Sequence, residues 1–138
     1  MAYASADRAY YDADSHIMEL PNFLKAYADP ALRDDIPEVS YSASVVTDEE
    51  VGVIMDQGGQ HSEEHVAAQL AMGDELIQHS KEIQALGAFN GQYRSAAMDL
   101  LGFKKQLVFA THSVALPFHP SSKKDPVLRY GATRAHNR

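Results

Sequence analysis

A chain of 138 residues with 45% apolar side chains has the content of one packed domain and too many core-forming residues for wholesale disorder. Twelve basic and nineteen acidic side chains leave a net charge of −7, without the basic footprint of a nucleic-acid binder, and zero cysteines exclude disulfide scaffolds and thiolate-bound zinc or iron–sulfur centres. No apolar run approaches the roughly 20 residues that cross a bilayer, and Asp7 and Arg8 stand where a secretory leader would be apolar. The expectation is a soluble, cytoplasmic protein whose partner is a small molecule, with no nucleic acid, no membrane and an oligomeric state left open. The charge is uneven: residues 1–103 hold 5 basic and 18 acidic side chains, whereas 104–138 hold 7 and 1. That imbalance suggests an acidic neighbour for the C-terminal part, within the chain or outside it.

In chain order, residues 9–17 (AYYDADSHI) have the length and composition of a strand that runs into a loop at Pro21. Pro21 suits the start of a short helix with Phe23, Leu24 and Tyr27 on its apolar face, closed by Pro30. Residues 31–59 are irregular and read as loop with at most one short element. Residues 62–86 read as one long helix, capped by Ser62, with Glu63 and Glu64 at its positive end and Gly87 just past its end. Its expected buried stripe is Val66, Leu70, Gly73 and Ile77, with Leu76 and Ile83 alongside. A second helix spans about 92–101 and stops at Gly102, burying Ala96, Ala97, Leu100 and Leu101. Residues 104–111 (KKQLVFAT) have the makeup of a buried parallel strand. Pro117, Pro120 and Pro126 mark a long loop, and 125–138 resumes a helical composition. Strand, helices, strand, helix is an α/β order. Two strands make a poor sheet, while a closed parallel barrel needs eight in about 250 residues.

The chemistry centres on Asp14 and His16. In a strand, residues i and i+2 project from one face, so a carboxylate and an imidazole converge where the strand ends. They are two ready ligands for a divalent ion such as zinc, and on a parallel barrel that end is the rim where active sites lie.

The stretch YYDADSHIMELPNFLKAY resembles the opening of the amidohydrolase-related branch of the amidohydrolase superfamily, metal-dependent barrel enzymes that include aminocarboxymuconate-semialdehyde and resorcylate decarboxylases. Asp14, His16, Glu19 and Pro21 fill the family's opening pattern, with an acidic residue in place of the first His of the commoner H-x-H form. GAFNGQYRSAAMDLLGFKKQLVFATHS is similar to the segment in which an Arg-bearing helix feeds the second strand, through Arg94, Met98, Asp99, Gly102, Leu107, Val108 and Phe109. DPVLRYGATRAHN, with Asp125, Ala135 and Asn137, resembles the helix that follows. The resemblance implies that residues 1–138 are the N-terminal part of a single (β/α)8 barrel domain, with about two of its eight strands. It implies a divalent metal, zinc first and manganese or iron next, held by Asp14, His16 and further ligands from later strands. The reaction implied is hydrolysis of an amide or ester, or decarboxylation at the same metal site. With two of about four ligands, these residues alone are expected to be inactive, and no catalytic residue is assigned within them.

Other readings compete. His61-Ser62-Glu63-Glu64-His65 matches the H-x-x-E-H pattern of a zinc peptidase, which needs both histidines inside one helix; with Ser62 as the cap, His61 falls outside it. His112 follows the second strand and either faces a rim pocket as a substrate-binding group or is an ordinary loop residue. His79 reads as solvated, His119 and His136 have no partner spacing, and Arg94 and Asp99 read as helix-to-strand packing groups. Ser15 makes no triad with His16, because strand neighbours face opposite ways. The non-enzyme alternative is a binding or structural domain whose acidic and basic parts pair between subunits.

Overall fold

The computed structural model describes residues 3–4, 7–41, 45–118 and 125–138. The elements are β1 (Tyr10–His16), α1 (Phe23–Tyr27), α2 (Asp48–Asp56), α3 (Glu63–Ala71), α4 (Leu76–His79), α5 (Gly91–Leu101), β2 (Phe103–Phe109), α6 (Ala115–Phe118) and α7 (Pro126–His136), with single 3-10 turns at Gly73–Glu75 and Glu82–Gln84. The chain is mixed α/β, and its sheet is the parallel pair β1–β2. None of the described helices is long and apolar enough to cross a membrane.

Two compact units divide the chain: Met1–Met18 with Val46–Phe109, and Glu19–Val45 with Ala110–Arg138. The first unit holds the sheet. Its core gathers Val66, Leu76, Leu86 and Leu101, against which Met72, Tyr93, Leu100 and Phe103 pack. The expected helix over 62–86 is instead broken into short pieces. Ser62 does cap α3, accepting from the His65 N–H, but Gly73 turns to φ +60, a left-handed conformation that ends the run. Ser80 then draws the chain away from helix, donating to Gln69 and accepting from the Leu86 N–H at 3.3 Å. Leu70 consequently stays exposed. Gly87 serves close packing rather than a helix end: its φ is +76, and a Cβ there would lie 2.4 Å from the Arg94 Cα.

Within the stretch read as loop, α2 begins with a full capping box, in which Thr47 Oγ1 accepts from the Glu50 N–H and Glu50 accepts from the Thr47 N–H. The helix expected near 92–101 is α5, capped by Asn90, and it ends at Gly102. β2 is parallel as expected but not buried: Leu107, Val108 and Phe109 are all exposed. Parallel strands are buried when helices cover both sheet faces, whereas the helix packed against this strand is α5.

In the second unit, α1 packs on α7. Leu24, Ala28, Ile36, Val39, Ala132 and Ala135 are buried there. Asp125 caps α7, with Pro126 at its first position. Arg134 and Arg138 each reach the Asp29 carboxylate at 2.6 Å, and these hydrogen bonds hold it below the usual carboxylate range.

Candidate functional site

β1 does not run straight to its end. Asp12 pairs with Gln106 and Ser15 with Val108, so Ala13 and Asp14 together oppose the single residue Leu107. This is a β-bulge, and Asp12 holds it: Oδ1 accepts from the Asp14 N–H at 3.0 Å. The extra residue changes which side chains share a face. Asp12 and Ser15, three apart, now serve one polar network. Gln106 Nε2 donates to Asp12 Oδ2 at 3.1 Å, and Arg94 Nη1 donates to Gln106 Oε1 at 3.3 Å and to Ser15 Oγ at 2.8 Å. Arg94 Nη2 also donates to the His16 carbonyl at 2.6 Å. A planar fork thus ties α5 to both strands, while its own burial lowers the Arg94 pKa and the Asp12 charge opposes that shift. Arg94 is the helix-to-strand group anticipated. Asp99 instead stays exposed, on the edge of an open depression of about 250 Å³ lined with Ser95, Met98 and Lys104.

At the end of the strand, Asp14 and His16 project together, with Asp14 Oδ1 3.4 Å from His16 Nε2. Both are open to solvent, Asp14 at 88%. The imidazole also lies against the Phe109 ring, centroids 5.8 Å apart. Two ligands on a tetrahedral zinc, each about 2.0–2.2 Å from the ion, stand roughly 3.3 Å from one another. The donor set and spacing therefore fit half of such a shell. No group of three or more His, Cys, Asp or Glu able to hold a metal occurs among the described residues.

The remaining histidines separate by environment. His61 lies outside α3, and its ring stacks on His65 at 4.3 Å between centroids. Each Nε2 sits 2.9 Å from a carbonyl, Ile83 for His61 and Gln84 for His65. A carbonyl only accepts, so both Nε2 atoms carry hydrogens and are spent on the 83–84 backbone. Burial, and then the neighbouring His65, lower the His61 pKa. Glu64 is exposed at the helix start. This geometry makes the H-x-x-E-H stretch a backbone staple. His79 is exposed, and His119 lies outside the described residues.

Glu19, in the second unit, is the residue whose role sequence reasoning missed. It is 1% exposed, and its carboxylate accepts from the Thr111 N–H at 3.1 Å, the His112 N–H at 2.9 Å and the Ser113 hydroxyl at 2.7 Å. Tyr41 donates to the Glu19 carbonyl, and burial, then the Glu19 charge, raise the Tyr41 pKa. His112, the candidate substrate-binding group, packs its ring edge-on against Tyr41 at 4.7 Å, and its Nε2 is buried without a hydrogen-bond partner among the described residues. The His136 Nε2 is buried in the same way. An acidic residue between Leu and Met in MELP was the available signal, but its partners lie some ninety positions away.

Compared with protein-family models, with curated proteins and with solved structures, the chain matches none.

Proposed function

We propose that this chain is the N-terminal part of a metal-dependent (β/α)8 enzyme of the amidohydrolase type, in which Asp14 and His16 are the first two ligands of a divalent ion, zinc by preference. The observation that carries the reading is the 3.4 Å approach of carboxylate and imidazole at the C-terminal end of a parallel strand, matched to the ligand spacing of a tetrahedral ion. The i, i+2 spacing on the strand gives the pair its common direction, and the Arg94 fork on the His16 carbonyl fixes the backbone from which the imidazole extends. When bound, the ion would polarise a carbonyl or carboxylate of a small substrate, for hydrolysis or decarboxylation. On this reading the remaining ligands come from later strands of the barrel, so the 138 residues alone are expected to turn over no amide, ester or carboxylated substrate.

Titration with Co²⁺, followed by paramagnetic broadening in NMR spectra of the 138-residue protein, tests the assignment. The Asp14 and His16 signals should broaden before those of His61 and His65. His16→Ala should remove that effect and Asp14→Asn should weaken it about tenfold or more, since loss of even an outer partner of a ligating histidine costs that much. His65→Ala should leave it unchanged. Broadening centred on His61 and His65, or indifferent to His16→Ala, would sink the proposal.

A further inference from the structure

His16 and Phe109 are the last residues of their strands and stand opposite one another in the parallel register. Paired residues on neighbouring strands project from the same face, so their rings meet on one side of the sheet. The centroids lie 5.8 Å apart with 39° between the planes, within the range of an attractive aromatic pair. The backbone fastens the same two residues. The Ile17 N–H donates to the Phe109 carbonyl at 3.0 Å, and Arg94 Nη2 donates to the His16 carbonyl at 2.6 Å. The chain at His16 is thus held from two directions, by β2 and by α5.

That grip fixes the backbone and leaves the side chain to be oriented. An imidazole carries two nitrogens that can take an ion, and a freely turning ring must give up its rotation to present either one. Restricting that rotation beforehand raises affinity without adding a ligand. The Phe109 ring packs on the imidazole in an orientation that turns Nε2 towards Asp14, 3.4 Å from Oδ1. Val108, the preceding residue, pairs with Ser15 and projects from the other face.

We propose that Phe109 is a positioning residue for the metal pair: its ring holds the His16 imidazole so that Nε2, not Nδ1, meets the ion beside Asp14. The inference rests on the assignment of Asp14 and His16 as ligands and adds a residue that touches no ion. It uses contacts already made between β1 and β2, so it needs no further strand. An aromatic pair of this kind corresponds to a factor of about three to ten in an equilibrium constant.

Co²⁺ titration of the 138-residue protein, read by broadening of the His16 signals, is the test. Phe109→Leu keeps an apolar side chain but removes the ring, and should weaken binding about three- to tenfold. Phe109→Tyr restores the ring and should bind as the wild type does. Val108→Ala, on the opposite face, should change nothing. In long-range ¹H–¹⁵N spectra, Zn²⁺ should shift Nε2 of His16 in the wild type and lose that preference for Nε2 in Phe109→Leu, a signature that general loosening of the strand would not give. A nuclear Overhauser contact between the two rings is expected in the wild type, whether or not a variant folds. Absence of that contact, wild-type affinity in a folded Phe109→Leu protein, an equal loss in Val108→Ala, or failure of Phe109→Tyr to restore binding would overturn the proposal. Wild-type protein that takes up no Co²⁺ at His16 would instead remove the ligand assignment, and the positioning role with it.

Discussion

Two carboxylates five positions apart, Asp14 and Glu19, have opposite fates. Glu19 is 1% exposed and its oxygens are consumed by two backbone N–H groups and a hydroxyl. Asp14 is 88% exposed and faces an imidazole. A buried carboxylate is tolerated only when its hydrogen-bonding capacity is filled, and once filled it has nothing to offer a ligand. The contrast separates a group that holds the fold from one that can do chemistry. His61 and His65, with both Nε2 atoms on carbonyls, fall on the side of Glu19.

The sharpest way to break this division is Glu19→Ala. It removes the acceptor of two part-buried N–H groups and of the buried Ser113 hydroxyl, and should cost about 3–5 kcal/mol in urea unfolding while the Co²⁺ response of His16 persists. Loss of the metal response in a folded Glu19→Ala protein would show that the two carboxylates are not independent. Arg94→Lys comes next. An ammonium cannot reproduce the fork to Ser15, Gln106 and the His16 carbonyl, so stability should fall by about 1–2 kcal/mol, again by urea unfolding. Weaker Co²⁺ binding in the same variant would mark Arg94 as a positioning residue for the pair.

The smallest effect expected is a pH dependence from His61. Its folded pKa lies below the ordinary 6.5, so the unfolded chain takes up the proton first as pH falls. The contribution of the neutral ring is complete above 6.5 and declines from there down through the depressed folded value. His61→Asn should flatten the stability profile in that window, and an unchanged profile would remove His61 from the structural group.

Much of the fold was legible from local signals. β1, β2, α5 and α7 lie close to where composition put them, and Ser62 caps α3 as read; Asn90 and Asp125 cap α5 and α7 in the same local way, though neither was part of the sequence reading. The capping box of α2 was equally local, in Thr47 and Glu50, but the surrounding prolines and serines masked it. The convergence of Asp14 and His16 agreed with a period of two, though the bulge at Ala13 and Asp14 lay beyond that argument. The long helix failed because Gly73, placed in the apolar stripe, takes a left-handed φ, and Ser80, to which the stripe assigned nothing, diverts the chain through its side-chain hydrogen bonds. The environment of β2 failed because composition reports what a strand can bury, not whether anything covers it.

By itself, then, the sequence determined the types of β1, β2, α5 and α7, the strand-end pair of Asp14 and His16, and the absence of thiol chemistry, all matters of neighbouring residues. Tertiary structure alone decided that Glu19 is saturated by Thr111, His112 and Ser113, that His61 and His65 each spend Nε2 on the backbone at 83 and 84, and that Leu107, Val108 and Phe109 of β2 are exposed. Each of those outcomes depends on which donors and acceptors meet across distant parts of the chain, and no periodicity within a short window carries that information.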